Sequence, residues 1–190
     1  FDPLGMVDTH FALPPEKLDR FAACYSRGPD KSLVLDDDPR ASRFSPPVSF
    51  LSGGGGLLST ASDYMRFCHM LLGGGALGGS RILSRKTLDL MTRNHLPGGG
   101  DLSQHSVGAF SETPYEGTGF GLGFSVQLGA EISGVVGSQG EFAWGGAAST
   151  IFWVDPAEDL AVVFMTQLMP SATFNFRGQL KSIVYGAIDD

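Results

Sequence analysis

The chain reads as an α+β domain, an antiparallel sheet with a C-terminal helix packed on it and part of a helical region before it. Three features predict this. In "GFGLGFSVQL" the residues Phe120, Leu122, Phe124, Val126 and Leu128 fall at every second position, the period of a half-buried strand. Farther on, only "DPAED" separates two apolar runs, around Ala147 to Val154 and Leu160 to Thr166; so short a connection implies an antiparallel hairpin. The chain then runs into "SATFNFRGQLKSIVYGAI", where Phe176, Leu180, Ile183, Val184 and Ala187 form a helical apolar stripe able to cover one sheet face. Gly178 is a local weakness in that helix.

Taken in order, residues 1 to 50 are rich in proline and turn formers and are expected to be mostly loop. Extended pieces are expected around Phe21 to Tyr25 and Ser32 to Leu35. The charge run Asp36-Asp37-Asp38 reads as a solvated loop, because no histidine or second carboxylate cluster lies near it. The first helix lies in "STASDYMRFCHMLLGGG": Thr60 caps it, Asp63 stands third, and Tyr64, Phe67, Cys68, Leu71 and Leu72 share a face. Gly73 is expected to supply a left-handed exit. A second helix fits "SRKTLDLMTRNH", capped by Ser84, with Leu88 and Met91 inward and a stop before Leu96-Pro97. Residues 1–118 thus form the loops and helices of a helical region, and 119–190 the strands and last helix of a sheet domain.

Composition excludes several classes of function. At 190 residues the chain is long enough for one domain, which buries roughly 70% of the surface its unfolded form exposes. The net charge is -7 and no basic cluster offers a phosphate footprint, so nucleic acid is not an expected partner. No apolar run reaches the roughly 18 residues of a membrane span. Cys24 and Cys68 are too few for a disulfide framework and are expected to be free, which favours a reducing compartment such as the cytoplasm and leaves a bacterial periplasm open. His10, His69, His95 and His105 lack metal spacing, and neither a Gly-x-Ser-x-Gly elbow nor a phosphate-binding loop occurs. No metal and no cofactor are expected. The chain opens "FDPLGMVDTHF", without initiator methionine or signal peptide, and reads as a fragment.

Five segments carry a resemblance. "DPLGMVDTHF", "GGGGLLSTASDYMRF", "GALGGSRILSRKTLDLM", "GFGLGF" and "FAWGGAASTIFWVDPAEDLAVVFMTQ" follow one another as similar segments do in the serine β-lactamase-like hydrolases: class C β-lactamases, D-Ala-D-Ala peptidases and β-lactamase-like carboxylesterases. The resemblance covers essentially the whole chain and implies a C-terminal portion of that fold. In the family, Ser-x-x-Lys and Tyr-x-Asn precede the segment that "DPLGM" resembles, and neither pattern occurs here. The chain alone is therefore expected to be inactive.

The third family motif, Lys-Thr-Gly in β-lactamases and Trp-Gly-Gly in many esterases, corresponds to Trp144-Gly145-Gly146. The resemblance implies that an acyl group lies against bare main chain at the two glycines, and that the Ala147 N–H is one oxyanion donor. The other donor would be the N–H of a serine outside these residues. Phe120 and Phe142 are candidate pocket walls or core. From spacing alone, Gly145-Gly146 reads equally well as a bulge and Trp144 as core.

An indole in place of lysine shifts the expected substrate from β-lactam carboxylates to neutral esters. Expected partners are a small ester or amide substrate and the missing N-terminal part. Isolated, the chain would self-associate through an unpaired edge. The alternative function is a non-catalytic module that binds a ligand or partner through its exposed sheet.

Overall fold

The computed structural model describes residues 1–45, 47–105 and 115–189. The N-terminal segment is mostly short 3-10 turns and loop, as expected of its prolines. It includes two strands, β1 (Cys24–Arg27) and β2 (Leu33–Asp37), paired antiparallel. Helix α1 (Ala61–Leu72) begins where Thr60 Oγ1 accepts from the Asp63 N–H at 3.2 Å. Asp63 is itself buried, and its Oδ2 accepts from the Asp8 N–H at 2.7 Å and the Thr9 hydroxyl at 2.9 Å, which ties the first residues to the helix. Cys68 and Leu71 face inward as expected, and Met70 joins them. Burial pushes the Cys68 thiol and the Tyr64 phenol each up to about 12, so both are neutral at physiological pH. The exit from α1 differs from expectation. Gly73 has φ -73, and the left-handed residues are Gly74 and Gly75 (φ 68 and 94), which turn the chain into the hairpin β3 (Ala76–Leu77) and β4 (Ser80–Arg81).

Helix α2 (Arg85–Met91) is capped by Ser84, whose Oγ accepts from the Thr87 N–H at 3.0 Å. After it the chain builds one antiparallel sheet in sequence order: β5 (Thr118–Phe120), β6 (Ser125–Gln127), β7 (Phe142–Gly145), β8 (Ile151–Asp155) and β9 (Leu160–Phe164). A four-residue helix, α3 (Ala130–Ser133), lies between β6 and β7. Every residue of β8 is buried, as an inner strand paired on both sides and covered on both faces requires. The β8–β9 hairpin pairs Asp155 with Leu160, and its turn is closed by Asp155 Oδ1 accepting from the Ala157 N–H at 3.0 Å.

Two expectations about strands are corrected. "GFGLGFSVQL" is not one strand but the hairpin β5–β6, with Phe120 opposite Ser125 and Gly121 N–H donating to Phe124 O at 2.8 Å. The period of two does not run through the turn: Phe124 and Val126 lie in the core, whereas Phe120 shares a sheet face with Ser125 and only Gly119 stands opposite Val126, and Leu122 at the tip is exposed. The tip is seated on the end of α2, where the Leu122 N–H donates to Met91 O at 2.8 Å. A Cβ on Gly121 would collide with that same carbonyl. Gly121→Ala is therefore expected to destabilise the chain by about 1–3 kcal/mol, read as a lower urea midpoint at unchanged slope. The second correction concerns residues 147–150, which form a turn, so β8 begins at Ile151.

The strand β10 (Leu168–Met169) returns to pair parallel with β1, giving a second sheet in the order β10-β1-β2. A single core joins Leu4, Met6, Cys68, Met70, Leu71 and Leu88 with Phe124, Val126, Phe142, Phe152 and Val154. Core and second sheet both cross the division expected between residues 118 and 119.

Helix α4 (Phe176–Tyr185) is capped by Asn175, whose Oδ1 accepts from the Gly178 N–H at 3.1 Å. A side chain at Gly178 would strike that cap, so the glycine serves the start of the helix. The expected apolar stripe is corrected: Ile183 is 68% exposed and Ala187 lies outside the helix. The helix is turned so that Lys181 and Tyr185 reach the sheet, with Phe176 against Phe164 at 5.6 Å.

Candidate active site at the end of strand β7

Side chains alternate along β7. Phe142 and Trp144 face the core and α1, whereas Ala143 and Gly145 face α4. Phe142 is 3% exposed and packs on Phe124 at 5.2 Å, so it belongs to the core and is no pocket wall. Trp144 is half-buried at the rim of that core. Phe120 meets it edge-on, with ring centroids 5.1 Å apart and planes at 78°. Phe120 and Trp144 are thus brought together.

The room left by the two glycines is taken by the protein's own groups. A Cβ at Gly145 would overlap the guanidinium of Arg177 on α4, and one at Gly146 would overlap the Thr150 hydroxyl. What stays open lies in the plane of the sheet. Gly146 N–H donates to Thr150 O at 2.9 Å, which sets Phe142, Trp144 and Gly146 as the residues whose main chain faces β8. The main-chain groups of Ala143, Gly145 and Ala147 face the other way. On that side β6 pairs only with Phe142 and Ala143, so among the described residues the edge beyond Ala143 carries no strand. Ala147 is exposed, and among the described residues its N–H donates to no protein acceptor.

The turn holding Ala147 is pinned at several points. Ser149 N–H donates to Gly146 O at 3.1 Å, and the buried Ser149 hydroxyl donates to Leu168 O at 2.6 Å. Leu168 N–H in turn donates to Ala148 O at 3.1 Å. Ser149 adopts φ 69, a left-handed conformation that costs a non-glycine residue about 1–3 kcal/mol and persists only where the surroundings fix it. Sequence reasoning missed both Ser149 and Arg177. Nothing local marks a serine for φ > 0, and Arg177 meets Gly145 across 32 positions of chain.

Among the described residues, no group of three or more His, Cys, Asp or Glu could hold a metal, and no helix is long and apolar enough to cross a membrane. Both cysteines are free and buried. The arrangement presents an outward main-chain N–H on a hydrogen-bonded turn beside a half-buried indole.

Comparison with known proteins follows the same lines. Residues 1–182 match the family described as Beta-lactamase. Protein Rv1367c of Mycobacterium tuberculosis is 37% identical over 172 residues, 88% of this chain and 41% of that protein. Simvastatin synthase (LovD) from Aspergillus terreus superposes with a TM-score of 0.71 at 27% identity, over 89% of this chain and 42% of that one. EstCE1, a hydrolase with promiscuous acyltransferase activity, gives 0.73 at 25% identity, over 97% and 48%. The penicillin-binding protein homologue from Pyrococcus abyssi, at 16% identity and a TM-score of 0.63, is alike in fold. The chain spans less than half the length of each of these relatives.

Proposed function

The chain belongs to the beta-lactamase family, and we propose that it forms the oxyanion-side wall of a serine acyl-transfer site acting on neutral esters. The single observation that carries this reading is the pinned turn that presents the Ala147 N–H, free of any acceptor among the described residues, at the open end of β7. In the intact enzyme a serine attacks the ester carbonyl and the alcohol leaves. Water then releases the acid from the acyl-enzyme. Ala147 N–H is one donor to the oxyanion in both steps, and the serine's own N–H is the other. Trp144 and Phe120 give the acyl or alcohol portion an aromatic corner, while the Arg177 guanidinium lies on the other face of β7 against Gly145. The hydrolase and acyltransferase named among the solved neighbours support acyl transfer to water or to another alcohol.

The test is hydrolysis of a short-chain p-nitrophenyl ester. It is measured on this chain alone and on the chain together with whatever residues precede Phe1 in its polypeptide. No turnover is expected from the chain alone, and turnover abolished by a serine-directed phosphonate from the longer form. Turnover by the chain alone that survives the phosphonate would contradict this reading. A longer form that neither turns over nor takes up the phosphonate would leave a non-catalytic binding module as the better account.

A further inference from the structure

Beneath α4, on the face of the sheet away from the core, lies a cluster that acyl transfer does not use. Glu141 is 3% exposed and Asp155 fully buried, and the Tyr185 hydroxyl oxygen stands 2.7 Å from Glu141 Oε2 and 2.6 Å from Asp155 Oδ2. Lys181 Nζ binds Glu141 Oε1. A phenol has one proton to donate, so it can satisfy only one of two carboxylates. The second approach, at hydrogen-bond distance, requires a proton held by a carboxyl. Charge leads to the same conclusion. Two buried carboxylates face a single ammonium, and one retained proton makes the cluster neutral. The groups facing Glu141 are Lys181 and Tyr185 from α4 and Asp155 from β8, and burial raises its pKa above the ordinary carboxyl value.

We propose that Glu141, Asp155, Tyr185 and Lys181 form a proton-holding clasp that seats α4 on the sheet and so positions Arg177 over Gly145. While the proton is held, the clasp is neutral and α4 is docked. When it is lost, an uncompensated negative charge lies under the helix. Arg177 then loses its fixed place beside the open strand end. That this governs substrate access rests on the acyl-transfer reading above; the clasp itself does not.

The sign of the effect follows from linkage. A carboxyl raised in the folded state keeps a proton that the unfolded chain has released. Its stabilisation is therefore complete below the ordinary glutamate value and fades as pH rises through the folded one. Asp8, Asp30 and Asp101 are lowered, by hydrogen bonds from Arg20, Ser32 and Ser103 respectively, and act in the opposite sense in a separate window below the ordinary carboxylate range.

The experiment is urea unfolding of the chain from pH 5 to 8, with hydrogen exchange of the α4 amides corrected for intrinsic rates. The unfolding constant should rise with pH by up to about tenfold per unit, one proton's worth, and α4 should lose protection over the same range. Glu141→Gln and Asp155→Asn, each removing one of the two competing charges, should flatten both dependences. Wild-type unfolding that is independent of pH overturns the proposal. So does a slope that persists in both variants. Neither readout involves ester turnover, so failure of the clasp is distinguishable from failure of the acyl-transfer reading.

Discussion

Trp153→Ala is expected to cost the chain about 3–5 kcal/mol, the range for emptying a large aromatic site in a packed interior. Trp153 is fully buried in the inner strand β8, between Phe152 and Val154 in sequence, and Lys181 Nζ lies 6.0 Å from its ring centroid. The indole lies between the sheet and α4, which also touches the sheet through Phe176 on Phe164 and through the polar groups of Lys181 and Tyr185. Its Nε1–H is buried without a hydrogen-bond partner among the described residues. Such a lone donor costs about 1–3 kcal/mol. Trp153→Phe removes that donor while keeping most of the ring volume, so it should lose well under half of what alanine loses. Urea midpoints at constant slope provide the measurement. Equal losses for phenylalanine and alanine would mean that the nitrogen has a partner and that the site depends on it.

The second large effect concerns catalysis. If the longer polypeptide hydrolyses esters as proposed, Ala147→Pro should lower kcat by about 10²–10³-fold, the loss seen when one oxyanion donor is removed. The substitution deletes an N–H that holds no part of the described fold together, and Ala147 is exposed. Ala147→Gly keeps the N–H and should keep turnover within about a few-fold, since surface changes away from special features stay within about 0.5 kcal/mol. Proline and glycine variants with equal, near-normal turnover would remove Ala147 from the mechanism. An intact midpoint for the proline variant is needed to assign its loss to the donor.

How much was legible depended on the range of the interactions. Thr60 and Ser84 were readable as caps because each hydrogen bond spans three residues. The β8–β9 hairpin was readable because five residues leave no other way back. The Phe120 to Leu128 run placed Phe124 and Val126 inward and gave one strand where the chain has two. The period-two pattern in sequence conceals a tight turn that puts Phe120 on the other face from Phe124 and Val126, with the carbonyl of Met91 close against Gly121. The pairing of β1 with β10 joins residues more than 140 positions apart and had no sequence signal. Trp144, Gly145 and Gly146 were marked only by the resemblance, since spacing alone left a bulge and core equally open, and Phe120 was named only as a candidate wall or core residue. What fills the glycines' space was hidden, because Arg177 and Thr150 are ordinary residues whose role exists only once α4 and the turn have docked. The Glu141–Tyr185 contact, 44 positions apart, was hidden for the same reason.

The Ser149 hydroxyl and the Ala148 carbonyl fasten the turn after β7 to Leu168, and β10 is held in turn by β1 from near the start of the chain. Residues 142–155 are therefore not a portable cassette. Transplanted into another sheet, they would carry the indole and both glycines with them but leave behind the anchors that give the Ala147 amide its aim. Variants that probe the proposed acyl site should leave the 24–27 and 168–169 strip intact and vary Phe120 or Trp144.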